Sequence, residues 1–97
     1  MTIVIDVRSI ADGDPLLFEV IIREDGSETR RDVTMSVADF ERIASQADSA
    51  EQCIDAAFRF LLDREPKEAI LRRFDFSVIA SYFPEFAREF PRYLSAP

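Results

Sequence analysis

Histidine and tryptophan are absent from this chain of 97 residues, cysteine occurs once and glycine twice. Without histidine, the Ser–His and Cys–His nucleophile pairs and the commonest general base near neutral pH are missing. A lone Cys53 forms no intramolecular disulfide, and without histidine the familiar tetrahedral zinc sites of Cys and His cannot be assembled within one chain. Gly13 and Gly26 are too few and too far apart for a phosphate-cradling loop. No apolar run approaches the ~18 residues that cross a bilayer. The segment Met1-Thr-Ile-Val-Ile-Asp-Val-Arg8 has no basic stretch followed by an uninterrupted apolar one, so it does not read as a signal peptide. These shortages point to a cytoplasmic protein that uses no membrane, metal or cofactor. Carboxylates, Tyr, Ser and Lys67 are the side chains left for any chemistry.

What is present describes one folded unit. Hydrophobic residues make up 47% of the chain and charged residues 32%. That is too apolar for a disordered acidic chain, and residues 1–97 suffice for a single domain with one core. Nineteen acidic residues against twelve basic ones give a net charge of −7. This balance argues against non-specific binding to nucleic acid, whose phosphates require Lys and Arg. The charge is uneven. Residues 1–50 hold five basic and eleven acidic side chains, net −6; residues 51–97 hold seven and eight, net −1.

The first third has a period of two. Ile3, Ile5 and Val7 alternate with Val4, Asp6 and Arg8, the pattern of a half-buried strand. Asp12-Gly-Asp-Pro15 supplies loop chemistry. A second run places Leu16, Phe18, Val20 and Ile22 on one face, with Leu17, Glu19, Ile21 and Arg23 on the other. Asp25-Gly26 signals a hairpin. Thr29, Arg31, Val33 and Met35 then share one face of a third strand. The natural assembly is a three-stranded antiparallel meander.

From Ser36 the period becomes helical. Ser36–Asp39 and Ser49–Gln52 both have capping-box spacing. They predict helices over Val37–Ala47 and Ala50–Arg64. In the second, Ile54, Ala57, Phe58, Leu61 and Leu62 form the apolar face, and Phe60 lies well off it, so two surfaces should be covered. Pro66 suits the first position of a short helix to Arg73 with Ile70 and Phe74 inward. Asp75 or Ser77 can cap another turn through Tyr82. Pro84 restarts a helix that Pro91 should stop near Phe90.

Several constellations invite chemistry and fall short of it. Asp12-Gly13-Asp14 resembles the start of a calcium loop, but the twelfth position is Arg23 rather than a bidentate Glu. The paired acids Asp12/Asp14 and Asp25/Glu28 fall in turns, where they aid solubility. Arg72 and Arg73 with Lys67 suggest a basic patch. The helix-turn-helix reading fails because Val78, Ile79, Tyr82 and Phe83 are the wrong side chains for base edges. Asp55→Arg59, Glu68→Arg72, Glu85→Arg88 and Glu89→Arg92 have the spacing of helical ion pairs. Cys53 reads as a small apolar residue.

Aromatic clustering carries more information. Seven of the nine Phe lie at or after position 58, together with both tyrosines. Phe83, Phe86 and Phe90 follow helical spacing, and Tyr82 lies one turn before Phe86. A core stripe explains many of them. A three-stranded sheet has limited surface to offer helices, however, and Leu17 and Ile21 on the second face also need cover. Aromatics left at the surface would anchor a partner or a second copy. The candidate partner-binding residues are therefore Phe60, Tyr82, Phe83, Phe86, Phe90, Tyr93, Leu17 and Ile21.

The segment from Phe58-Arg-Phe-Leu-Leu-Asp-Arg-Glu-Pro66 through Ile70-Leu-Arg-Arg-Phe-Asp-Phe76 to Tyr82-Phe-Pro-Glu-Phe86 resembles the C-terminal half of a family of small uncharacterised bacterial domains. The resemblance spans about two-thirds of the chain if the preceding hairpin and helix are included. It implies a compact bacterial cytoplasmic protein, and it brings no activity and no functional residues.

The expected fold is α+β, a three-stranded antiparallel meander followed by three to five helices packed on one face. The expected function is a non-enzymatic protein-interaction or assembly module, self-associating as a homodimer or acting as an adaptor. Two alternatives belong to other classes. A transcription-related DNA-binding protein would use Arg72 and Arg73. A small enzyme with carboxylate chemistry would need a pocket where a carboxylate meets Tyr82 or Lys67.

Overall fold

A computed structural model describes residues 2–43, 47 and 49–94. Strands β1 (Ile3–Ala11), β2 (Leu16–Glu24) and β3 (Ser27–Met35) form the expected antiparallel meander. Asp25 and Gly26 close its second turn with φ of 52° and 80°. Two successive positive φ values give the tight turn that matches strand twist. Helices α1 (Val37–Ile43) and α2 (Ala50–Leu62) follow. Their caps are the expected ones, since Ser36 Oγ accepts from the Asp39 N–H at 3.0 Å and Ser49 Oγ from the Gln52 N–H at 3.1 Å. Residues 44–46 lie outside the described residues, and Ala47, where the first helix was expected to end, is not helical.

The next segment departs from expectation. Pro66–Arg73 is not an α-helix: a single 3-10 turn, Lys67–Ala69, leads into a fourth strand, β4 (Arg73–Asp75). This strand pairs parallel to β3, with Phe74 opposite Val33, and the sheet order is β1-β2-β3-β4. The overlooked signal is the alternation Arg73-Phe74-Asp75-Phe76. Both phenylalanines are buried, and a helix would have pointed them about 200° apart. A helix of eight residues is marginal alone, whereas β3 offered an open ladder.

Helix α3 (Ser77–Tyr82) is capped from Asp75, whose Oδ2 accepts from the Ser77 N–H at 3.0 Å and from its hydroxyl at 2.7 Å. The last helix, α4, spans Phe86–Leu94 and continues through Pro91. An interior proline costs about 3 kcal/mol or more. Opposing that cost, Phe86, Phe90 and Leu94 are buried at i, i+4 and i+8, and the Tyr93 hydroxyl donates to Asp63 at 2.5 Å. Tertiary contacts hold the final turn.

One face of the sheet meets the helices. Phe18, Val20, Ile22, Val33 and Met35 are buried there, with Ile3, Ile5 and Val7 packed at the margin. Helix α2 is sealed on both sides, as the position of Phe60 implied: Cys53, Ile54, Ala56, Ala57, Phe58, Phe60 and Leu61 are all buried. The opposite face of the sheet carries exposed Val4, Asp6, Arg8, Arg23, Glu28, Arg30 and Arg73.

Candidate interaction surface

The crossover from α2 to β4 shapes the surface of greatest interest, and polar bonds fix it. The half-buried Arg31 guanidinium donates to the carbonyls of Ile70 at 2.8 Å, Arg30 at 2.7 Å and Lys67 at 3.2 Å. Lys67 is buried and pairs with Glu68 at 2.9 Å and Glu24 at 3.3 Å. The bond to Glu68, reinforced by Glu24, holds the Lys67 ammonium above its ordinary pKa against the opposing effect of burial. On the far side of β4, the Thr34 hydroxyl donates to Asp75 Oδ1 at 2.7 Å. Burial pushes the Asp75 carboxyl up, but the bonds from Thr34 and Ser77 outweigh it and keep the carboxyl below its usual range.

This frame supports an apolar groove of about 280 Å³ between the end of α2, the crossover and α3. Leu61, Ile70, Phe74 and Ile79 form its buried floor, and Phe83 is half-buried in its wall. Leu71 and Tyr82 stand on its rim with 46% and 67% of their surface exposed. They are two of the four exposed large hydrophobic residues among those described. The same short segment also lines a second depression. Arg72 and Arg73 join Arg30 and Asp32 around a crevice of about 450 Å³. Leu71 and Phe74 thus serve the apolar groove, while the intervening Arg72 and Arg73 serve the basic crevice.

Most arginines are already engaged. Arg73 pairs with Asp32 at 3.6 Å and Arg30 with Glu19 at 3.4 Å. Among the described residues, the Arg72 guanidinium has neither a carboxylate nor a carbonyl partner. The helical spacing Glu68→Arg72 yields no pair, because no helix spans it and Glu68 turns to Lys67 instead.

The candidate aromatics divide sharply. Phe60, Phe86 and Phe90 are core residues, exposed by 0%, 5% and 3%, and offer no surface to a partner. The Phe60 ring meets Phe83 at 5.7 Å, Phe86 at 4.9 Å and Tyr93 at 5.8 Å, all near perpendicular. Such edge-to-face pairs are favoured by the ring quadrupole. Arg64 lies over the Phe60 ring at 3.6 Å, and it also pairs with Glu85 at 3.1 Å. Tyr93 is half-buried and tied to Asp63, which raises its pKa. Tyr82 and Phe83 therefore remain at the groove. Leu17 and Ile21 are half-buried on the other sheet face, among ion pairs rather than beside the groove.

Sequence reasoning misses Leu71, Ile70 and Val78 as groove residues because the spacing after Pro66 predicts a helix there. Their apolar character beside Arg72-Arg73 was the available signal.

Comparison with known proteins adds nothing to this geometry. No protein-family model matches the chain, and no curated protein or solved structure does either. These comparisons leave untested the family resemblance expected of the C-terminal half, and they assign no residue to the groove or the crevice.

The chemistry of the groove is limited. Glu65 and Tyr82 both line it, but no hydrogen bond joins them, and Lys67 lies elsewhere. Cys53 is fully buried, and burial pushes its thiol up to about 11, the opposite of an activated thiolate. No group of three or more potential ligands for a metal is found among the described residues. No helix of the described residues is long and apolar enough to cross a membrane.

Proposed function

We propose that this domain is a non-enzymatic interaction module that takes an extended segment of a partner protein along the open edge of β4. The partner's apolar side chains enter the groove beside Leu71, Tyr82 and Phe83. Its acidic side chains meet Arg72 and Arg73. One observation carries the reading: an apolar groove and a basic crevice share one five-residue stretch, and its Arg72 has no partner among the described residues. In a parallel ladder alternate residues turn their main chain to the neighbour. Asp32 donates to the Arg72 carbonyl and Phe76 to the Thr34 carbonyl, so the main-chain groups of Arg73 and Asp75 face away from β3, where an added strand would bond.

Charge selects the occupant. A segment alternating apolar and acidic residues would present its two kinds of side chain to the two sides of β4 at the period of two that strands impose. Nucleic acid is disfavoured because Asp32 shares the crevice and the chain carries a net charge of −7.

Selection from a phage-displayed random peptide library tests the reading. Enriched peptides should alternate apolar and acidic residues, and synthetic versions should lose about tenfold or more in affinity to Leu71→Asp or Arg72→Glu, an amount equal to one or two well-placed contacts. Enrichment of basic peptides, or affinity unchanged by both substitutions, would overturn it. So would a salt-sensitive gel shift with duplex DNA that Arg72→Glu abolishes.

A further inference from the structure

The opposite edge of the sheet carries a second pattern. Among the described residues, strand β1 pairs only with β2 and so forms an edge of the sheet, with Val4 and Ile10 exposed by 45% and 51%. On the open face, β1 begins two short rows of charge. Arg8 faces Glu19 at 3.9 Å, and Glu19 in turn faces Arg30 at 3.4 Å. Asp6 is bonded to Arg23, which pairs with Glu28 at 3.0 Å. One row therefore runs plus-minus-plus from the edge inward, and the other minus-plus-minus.

We infer that two copies of this chain dimerise by antiparallel pairing of their β1 edges about a two-fold axis at Val7. A two-fold axis perpendicular to the sheet keeps both helical layers on one side and sets residues of like face opposite each other. Centred on Val7, it pairs Asp6 with Arg8 of the second copy and Arg8 with Asp6 of the second copy. The plus-minus-plus row of one copy then continues into the minus-plus-minus row of the other, giving two unbroken rows of six alternating charges. On the helical face Val7 meets its own copy and Ile5 lies opposite Ser9. The adjacent registers are excluded by the same charges. Moving the axis to Asp6 sets Asp6 against itself, and moving it to Arg8 sets Arg8 against itself. Like charges directly opposite destabilise a pair. The register irregularity between Ser9 and Ala11 ends regular pairing just beyond this segment, which confines the interface to residues 5–9. Because the contact is isologous it closes on itself, and the exposed edge is consumed.

Charge exchange separates this dimer from non-specific association. In sedimentation velocity the wild-type chain should show a monomer–dimer equilibrium at high micromolar concentration. Asp6→Arg and Arg8→Asp should each shift that equilibrium about tenfold or more toward monomer, since two unlike pairs become two like ones. Mixed in equal amounts, the two variants should form a heterodimer with wild-type-like affinity, because arginines on one edge then face aspartates on the other. That rescue also shows that each variant is folded, with far-UV circular dichroism as the independent check. A wild type that stays monomeric overturns the inference, whether or not another protein's strand takes the edge. Single variants that still dimerise, or a mixture that fails to restore association, overturn it equally.

Discussion

Phe60 and Tyr82 belong to the same aromatic-rich half of the chain, yet one is fully enclosed and the other is two-thirds exposed. Phe60 has Phe83, Phe86 and Tyr93 around its ring and Arg64 above it. Tyr82 stands at the last position of α3, on a groove that neither α4 nor the crossover covers. The difference teaches that an aromatic stripe at helical spacing is not one surface. Its members went to whichever neighbours the chain brought back, and among the described aromatics Tyr82 alone was left exposed. Stability should therefore concentrate at Phe60 and recognition at Tyr82 and Leu71.

The sharpest way to break this contrast is to truncate the enclosed ring. Phe60→Ala should lower unfolding free energy by about 3–5 kcal/mol in chemical denaturation, the range for large core aromatics. A loss below about 1 kcal/mol would place Phe60 outside the cooperative core. Arg31→Ala comes next. It removes charge-assisted bonds to two crossover carbonyls, so a loss of about 1.5–3 kcal/mol is expected. It should also speed hydrogen exchange at the Asp32 and Phe76 amides that bind β4 to β3. Unchanged exchange there would show that the crossover is held without Arg31.

How far these positions were legible in the sequence varies with the kind of signal. Ile3/Ile5/Val7 and Phe18/Val20/Ile22 announced the sheet face by alternation, Asp25-Gly26 its turn, and Ser36 and Ser49 the helix starts. Those signals are local, and local chemistry decides them. Phe60 was legible as a residue needing a second surface, but nothing near it named that surface as Phe83, Phe86 and Tyr93. Arg73-Phe74-Asp75-Phe76 was too short to read as a strand, since its partner β3 lies some forty residues away. Pro91 misled for a related reason, because distant contacts to Leu94 and Tyr93 outweighed a local rule. The groove inherits these long-range decisions, which is why Leu71 was not foreseen.

A smaller effect is expected from acid. Asp75 has a folded pKa below its ordinary value, so its contribution to stability is complete above the unfolded pKa and is lost as pH falls through the folded one. Glu68, held down first by Lys67, and Glu85, held down by its own backbone N–H and then Arg64, act in the same direction. Asp75→Asn should cost about 1 kcal/mol at pH 7 and progressively less below pH 4. An equal cost at both pH values would mean that the carboxylate charge is irrelevant to the cap. The smallest effect belongs to the other side of the comparison: Tyr82→Ala should change stability by no more than about 0.5 kcal/mol. A large loss would make Tyr82 a core residue and remove the reason to read the groove as a recognition surface.

The most direct test of that surface is an amide chemical-shift map recorded while a selected peptide of alternating apolar and acidic residues is titrated into the labelled protein. The predicted result is a contiguous set of shifts at Leu71, Arg72, Arg73, Val78 and Tyr82, with Phe60 and the β1 edge little changed. Shifts centred on Leu17 and Ile21, or spread evenly over the molecule, would contradict it.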